Sequence, residues 1–262
     1  GWNFKANGDF ILRINKHDEN SKTFLGISGN LGGDDVIDII LKQRQCAEFI
    51  CRKIYTYFVN PSIDASHLNE LTDLFYKDYN IEKLMRHIFM SDWFYGENNI
   101  GIKIKSPVEL MVGIQKTVPS VFKKQRQVSY LQKMMGQILL YPVNVAGWKG
   151  GRYWIDSNSL MFRLKLPSVL LSSASISLMP KGEFEDDFSD FYKQKSQNFK
   201  VSDQALAYFE THYAKITKDE LKAILLLPKL DKDTEEMLNI YQHQNAYQYC
   251  IQLMSIPEYQ LC

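Results

Sequence analysis

No apolar run in this chain reaches the roughly 18 to 20 residues that a membrane-spanning helix requires. The longest candidate, Leu166 to Met179, is interrupted by one proline and five serines. Charge of one sign is also lacking: 31 basic residues face 30 acidic ones, for a formal net charge of +1. That balance argues against nucleic-acid binding, which normally shows a strong basic excess. The Lys123-Lys124-Gln125-Arg126 cluster therefore reads as a solvated loop or helix end.

There are only four cysteines, and their spacings fit no zinc template. Cys46 and Cys51 fall on one predicted helix, about 140° apart around its axis, so they cannot bond to each other while it stays helical. Each could still pair with Cys250 or Cys262, but cysteine embedded in an apolar helical stripe is more often a buried free thiol. We therefore expect unpaired thiols and leave one disulfide open. A phosphate-binding glycine loop, a calcium loop and a complete nucleophile elbow are all missing, and Gly26-Ile27-Ser28-Gly29 is one residue short of the last. The patterns predict no metal and no cofactor.

What is present is an ordinary globular composition over 262 residues, 45% hydrophobic and 23% charged, enough for one large core or two smaller ones. The fold class reads as mainly α, a multi-helical domain with a short N-terminal β-hairpin. In the hairpin a three-residue loop with Gly8 in the left-handed conformation sets Phe4 against Phe10 and Trp2 against Leu12, gathering the apolar residues on one face. A polar loop follows. Gly33-Asp34-Asp35 then opens a long helix expected to run to Val59, where Asn60-Pro61 stops it. Its residues Ile39, Ile40, Phe49, Ile50, Ile54 and Tyr57 form the stripe expected to be buried.

Further helices are predicted over 65–77, 81–91, 107–118 and 127–140. The third is announced by Ser106 as cap, Pro107 at its first position and Glu109 three residues on. Beyond 156 we expect a helix to Ser175, kinked or split by Pro167, and an acidic, aromatic linker over Glu183 to Phe191. Helices over 203–213, 217–227 and 232–254 close the chain, with Thr217 and Glu220 at capping-box spacing. Residues 1–180 read as a helical core carrying the hairpin and 181–262 as a helical region packing on that same core, the two together forming one domain.

The most distinctive passage runs from Gly136 to Trp154, with four glycines, one proline and two tryptophans. Its pattern, GQxLxxPxNVxGWxGGxxW, resembles the signature of DUF1800, a bacterial family of unknown function. Supporting landmarks are His17-Asp18 with Lys22 and Leu25-Gly26 (HDxxxKxxLG), Ala47 to Lys53 with Phe58-Val59, Lys103 to Glu109 (KxKxPxE) and the ending Ser255 to Leu261. The resemblance runs from Trp2 to about Ser172 and resumes at the C-terminus, leaving roughly 180–250 unmatched. It implies that the chain is the C-terminal half of a longer protein whose helical first half precedes Trp2. It further implies export to the bacterial cell envelope or beyond, often beside a sulfatase-like partner, and it implies no reaction.

Two candidate sites emerge. His17, Asp18 and Glu19, with Lys22 nearby, could supply acid/base chemistry, although adjacent residues rarely point the same way and a loop histidine among carboxylates is a common clasp. Trp148, Gly150, Gly151, Arg152 and Trp154, with Tyr153, could form an aromatic platform on which a sugar stacks. Against this stands the commoner arrangement, in which glycines make turns and tryptophans cover a core. His67, His87, His212 and His243 lack zinc-helix spacing, and Asp34, Asp35 and Asp38 are explained by helix capping. The sequence thus favours a non-catalytic binding or assembly module for a glycan or envelope protein, with a polysaccharide-directed hydrolase using His17, Asp18 and Glu19 as the alternative.

Overall fold

A computed structural model describes residues 1–122, 125–172, 175–176, 197–198, 204–240 and 245–262. The linker expected over Glu183 to Phe191, and His243, lie outside the described residues. The chain forms two compact units, Gly1–Phe94 and Tyr95–Cys262. Among the described residues the secondary structure is mainly α-helical with short antiparallel strand pairs, and no helix is long and apolar enough to cross a membrane.

In the first unit, strands β1 (Trp2–Phe4) and β2 (Phe10–Leu12) pair in the expected register, Trp2 opposite Leu12 and Phe4 opposite Phe10. Gly8 takes the left-handed conformation at φ 88° and donates its N–H to the Lys5 carbonyl at 2.9 Å. The apolar face so assembled lies largely in solvent, with Trp2 63% and Phe10 67% exposed. A second hairpin, β3 (Lys22–Phe24) with β4 (Ile27–Gly29), occupies what the sequence suggested was only a polar loop. Its two-residue turn places both Leu25 (φ 48°) and Gly26 (φ 82°) in the left-handed region, the type I′ geometry that suits strand twist. Leu-Gly is a rare way to write that turn.

The expected long helix is two helices, α1 (Gly33–Leu41) and α2 (Arg44–Phe58). Helix α1 starts with the Asp35 carboxylate accepting the Gly32 N–H at 2.8 Å. The break at Lys42–Gln43 is stabilised from elsewhere: Tyr79 donates to the Leu41 carbonyl and Tyr76 to the Lys42 carbonyl, both at 2.7 Å. These hydroxyls satisfy carbonyls that a helix end leaves without partners. Tyr76 and Tyr79 follow helix α3 (Ala65–Phe75), which Asp64 caps through the Ser66 and His67 N–H groups; α4 (Ile81–Met90) completes the unit.

The buried face of α2 is Ala47, Cys51 and Tyr55, packed with Leu68, Leu71 and Phe75 of α3 and Leu84 and Ile88 of α4. Phe49 and Tyr57, expected in the buried stripe, are 59% and 58% exposed. The small side chains of Ala47 and Cys51 let α3 approach closely, so the i, i+4 row that contains them wins the core. Burial pushes the Cys51 thiol up to about 11.

In the second unit the helices are α5 (Pro107–Thr117), α6 (Gln125–Met134), α7 (Ser157–Leu171), α8 (Gln204–His212), α9 (Lys218–Leu225), α10 (Lys232–Ile240) and α11 (Ala246–Met254). The strands β5 (Ser175–Ile176) and β6 (Gln197–Asn198) pair antiparallel. Ser106 and Glu109 form the expected reciprocal cap of α5, and Thr217 and Glu220 that of α9. Helix α7 runs through Pro167 without a break. The predicted 232–254 helix is replaced by α10 and α11, the latter opened by Asn245 accepting the Gln248 N–H.

Helix α11 is the centre of this unit. Tyr249, Cys250, Ile251, Leu253 and Met254 are all buried, against residues of α5, α7, α8 and α9. A helix apolar nearly all round belongs in a core. All four cysteines are free thiols, and burial drives that of Cys250 up to about 12. After α11 the chain returns to the segment ahead of α5: Cys262 N–H donates to the Lys103 carbonyl at 2.7 Å, and Lys105 N–H to the Gln260 carbonyl at 2.8 Å.

Candidate functional site

The loop from Gly136 to Trp154 is built by specific backbone capture. Helix α6 stops at Met134, ten residues in, instead of running to 140, because Gly136 turns to φ 85° and ends the helical path. Gln132 then reaches forward to accept the Leu139 N–H at 2.9 Å, while Gln137 accepts the Val108 N–H at the start of α5 at 3.0 Å. A tight turn bridges Ile138 and Tyr141 with Leu140 held at φ 64°. Asn144 accepts the Ala146 N–H at 2.8 Å. The loop closes in a 3-10 turn, Gly151–Trp154, whose last carbonyl accepts the Ser159 hydroxyl.

The side chains so presented differ from the expected aromatic platform. Trp154 is 8% exposed and belongs to the interior, and Trp148 is half-buried. The two tryptophans therefore do not offer a joint open surface. Exposed instead are Leu140 (89%), Tyr141, Val143, Val145 and Tyr153. Lys149 lays its ammonium 4.9 Å from the centre of the Tyr153 ring. Arg152 is exposed, as are Gly150 and Gly151. Among the described residues, a Cβ added at Gly150 would meet nothing within 4 Å, and the backbone there is ordinary at φ −90°. Nothing among them requires glycine at that position.

The His17 region forms a different structure. His17 follows a 3-10 turn, Ile14–Lys16, and precedes β3. Asp18 accepts from the Asn20 N–H at 2.9 Å and its side-chain amide at 2.8 Å. These bonds, the backbone one first, hold its carboxyl below the ordinary range. Lys22 donates to the Asp18 carbonyl, to the Asn20 carbonyl at 3.1 Å and to Asn30 at 3.3 Å. Asn30 in turn donates to Glu19 at 2.9 Å. The side chains named as acid/base candidates thus staple a loop to the second hairpin, and no hydrogen bond joins the His17 ring to either carboxylate.

Sequence reasoning passed over one buried polar centre. Arg163 of α7 is fully buried, with Nε donating to Gln260 at 3.1 Å and Nη2 to the Lys105 carbonyl at 2.6 Å. Lys105 donates to the Tyr259 carbonyl at 2.7 Å and lies 4.0 Å from that ring's centre. An arginine between Phe162 and Leu164 on the apolar stretch of α7 was the available signal. Elsewhere His87 bonds Glu70 at 2.6 Å, His67 stacks on Trp93 at 4.3 Å, and His212 stacks on Tyr208 at 3.9 Å. Among the described residues no three His, Cys, Asp or Glu side chains are placed to hold a metal.

A mainly helical module that displays a braced apolar loop is the class this geometry defines. The model of the DUF1800 family, described as a protein of unknown function, matches residues 1–261, and the chain belongs to that family. The match also spans the stretch near 180–250 that the motifs alone left unassigned. No curated protein and no solved structure matches the chain.

Proposed function

We propose that this chain is a non-catalytic binding or assembly module of the bacterial cell envelope, and that its working surface is the loop from Leu139 to Tyr153. One observation carries the reading: Leu139, Leu140, Tyr141, Val143 and Val145 are each more than half exposed on a loop whose backbone is hydrogen-bonded in place. Contiguous exposed apolar residues mark interaction sites. Burying four such side chains is worth on the order of 6 kcal/mol before the costs of association are met, which suits docking that other contacts reinforce.

The chemistry of the loop favours a broad apolar surface over a sugar. A pyranose platform needs open indole faces, whereas the exposed residues here are mostly aliphatic and Trp154 is interior. The envelope location, and a sulfatase-like protein as neighbour, rest on the family resemblance. The hydrolase reading is less well supported, because Asp18, Glu19 and Lys22 are engaged in holding their own loop.

The test is co-purification from envelope extract with wild-type chain and the Leu140→Ser/Val143→Ser double variant. Both side chains face solvent, so the variant keeps the wild-type unfolding midpoint. Loss of the captured component is the expected result, and undiminished capture would refute the assignment.

A further inference from the structure

This inference rests on the docking reading of the same loop and names what the loop docks against. We propose that the loop inserts into the headgroup level of an anionic lipid bilayer. Three observations on the second unit converge on that surface.

The first is charge. Residues 110–155 contain seven lysines and arginines and not one aspartate or glutamate, leaving twenty-four basic residues against thirty acidic ones in the rest of the chain. An almost neutral protein has thus concentrated positive charge in the stretch of sequence that contains its apolar loop. Lys149 and Arg152 lie within the loop itself and Lys133 just ahead of it. Basic residues beside an apolar insertion are what the negative potential of anionic lipid attracts.

The second is the shape of the apolar element. A protein groove typically takes an amphipathic helix, and a sheet edge takes an extended strand that offers free backbone groups. The Leu139–Val145 segment is neither. It is a tight turn whose Leu139, Tyr141, Ala146 and Gly147 N–H groups all have partners inside the chain, Gln132, Ile138 and Asn144. Those bonds fix the turn in one shape, so its apolar side chains are presented preorganised.

The third is the order of side-chain types. Leu140, Val143 and Val145 are the most exposed aliphatic side chains of the loop, and Tyr141 and Tyr153 supply rings with a polar end, the type enriched where hydrocarbon meets headgroups. The Lys149 ammonium sits over the Tyr153 ring, so the positive charge accompanies the aromatic ring.

Flotation of the whole chain with vesicles tests this, using phosphatidylcholine alone and phosphatidylcholine mixed with phosphatidylglycerol. The expected result is flotation with the mixed vesicles only, weakened by added salt. It should fall more than about tenfold in Leu140→Ser/Val143→Ser and again in Lys149→Glu/Arg152→Glu, with circular dichroism unchanged in both. Failure of the wild type to float with anionic vesicles overturns the lipid assignment, as does a Leu140→Ser/Val143→Ser variant that floats like wild type. If flotation fails while a protein captured from envelope extract still depends on Leu140, the occupant is a protein. In that case the docking reading survives without the lipid.

Discussion

Replacing Arg163 separates the two roles a buried arginine can play, that of a charge and that of a rigid fork. Its guanidinium is fully buried and joins α7 to the Lys105 carbonyl and the Gln260 side chain, so one side chain ties together three stretches that are distant in sequence. Desolvation disfavours its charged form, and the Glu109 carboxylate opposes that effect. One donor, Nη1, has no partner among the described residues. The charge therefore costs stability, and the two bonds return it.

Arg163→Ala leaves two buried acceptors without donors, at about 1–3 kcal/mol each, and adds a cavity; relief of the desolvation cost offsets part. We expect a net loss of about 3–5 kcal/mol, in line with breaking buried ionic contacts. With a urea dependence of about 2 kcal/mol per molar, that moves the midpoint down by about 1.5–2.5 M. Arg163→Lys keeps the charge but cannot place two donors in a fork, and should lose about 2 kcal/mol. The assay is urea unfolding followed by tryptophan fluorescence, with Trp148 and Trp154 reporting on this unit. A lysine variant as stable as wild type would show that charge alone suffices and refute the fork argument.

Two further predictions concern capping and the loop. Glu220 is held below the ordinary 4.5 of a glutamate chiefly by the Thr217 N–H, so its contribution is present above that value and lost as pH falls through the lower folded value. The stability difference between wild type and Glu220→Gln, measured by urea unfolding, should therefore shrink below about pH 4; a difference constant down to pH 2 would contradict the cap. Gly150→Ala should leave the unfolding midpoint unchanged or raise it by about 0.4–1 kcal/mol in stability, since its Cβ meets nothing, and a clear loss would mean that the loop geometry is wrong.

Local chemistry was legible wherever it decided the outcome. The register of the first hairpin followed from Gly8 and the alternation of Trp2, Phe4, Phe10 and Leu12. The start of α5 followed from Ser106, Pro107 and Glu109. Tertiary capture stayed hidden: the α1–α2 break depends on hydroxyls of Tyr76 and Tyr79, more than thirty residues downstream, and no local pattern encodes that. The face of α2 was misread because large residues drew attention while Ala47 and Cys51, the small ones, set the packing.

The site shows the same imbalance. Tryptophans drew attention to the Gly136–Trp154 loop, where Trp154 is buried while Leu139, Leu140, Val143 and Val145 are exposed. Period-based reading extended α6 through that run because leucines continue a helix; Gly136 was the stop signal. The absence of acidic residues over 110–155 is a signal that whole-chain net charge conceals.

The most direct measurement is site-specific photo-crosslinking in intact cells with a photoreactive residue at Val145, which is fully exposed, and a control at Asp219 on α9, whose side chain is 93% exposed. The account predicts a covalent adduct at Val145, lipid or protein, and none at Asp219. A chain that emerges unmodified at Val145 would contradict the assignment of this loop as the docking surface.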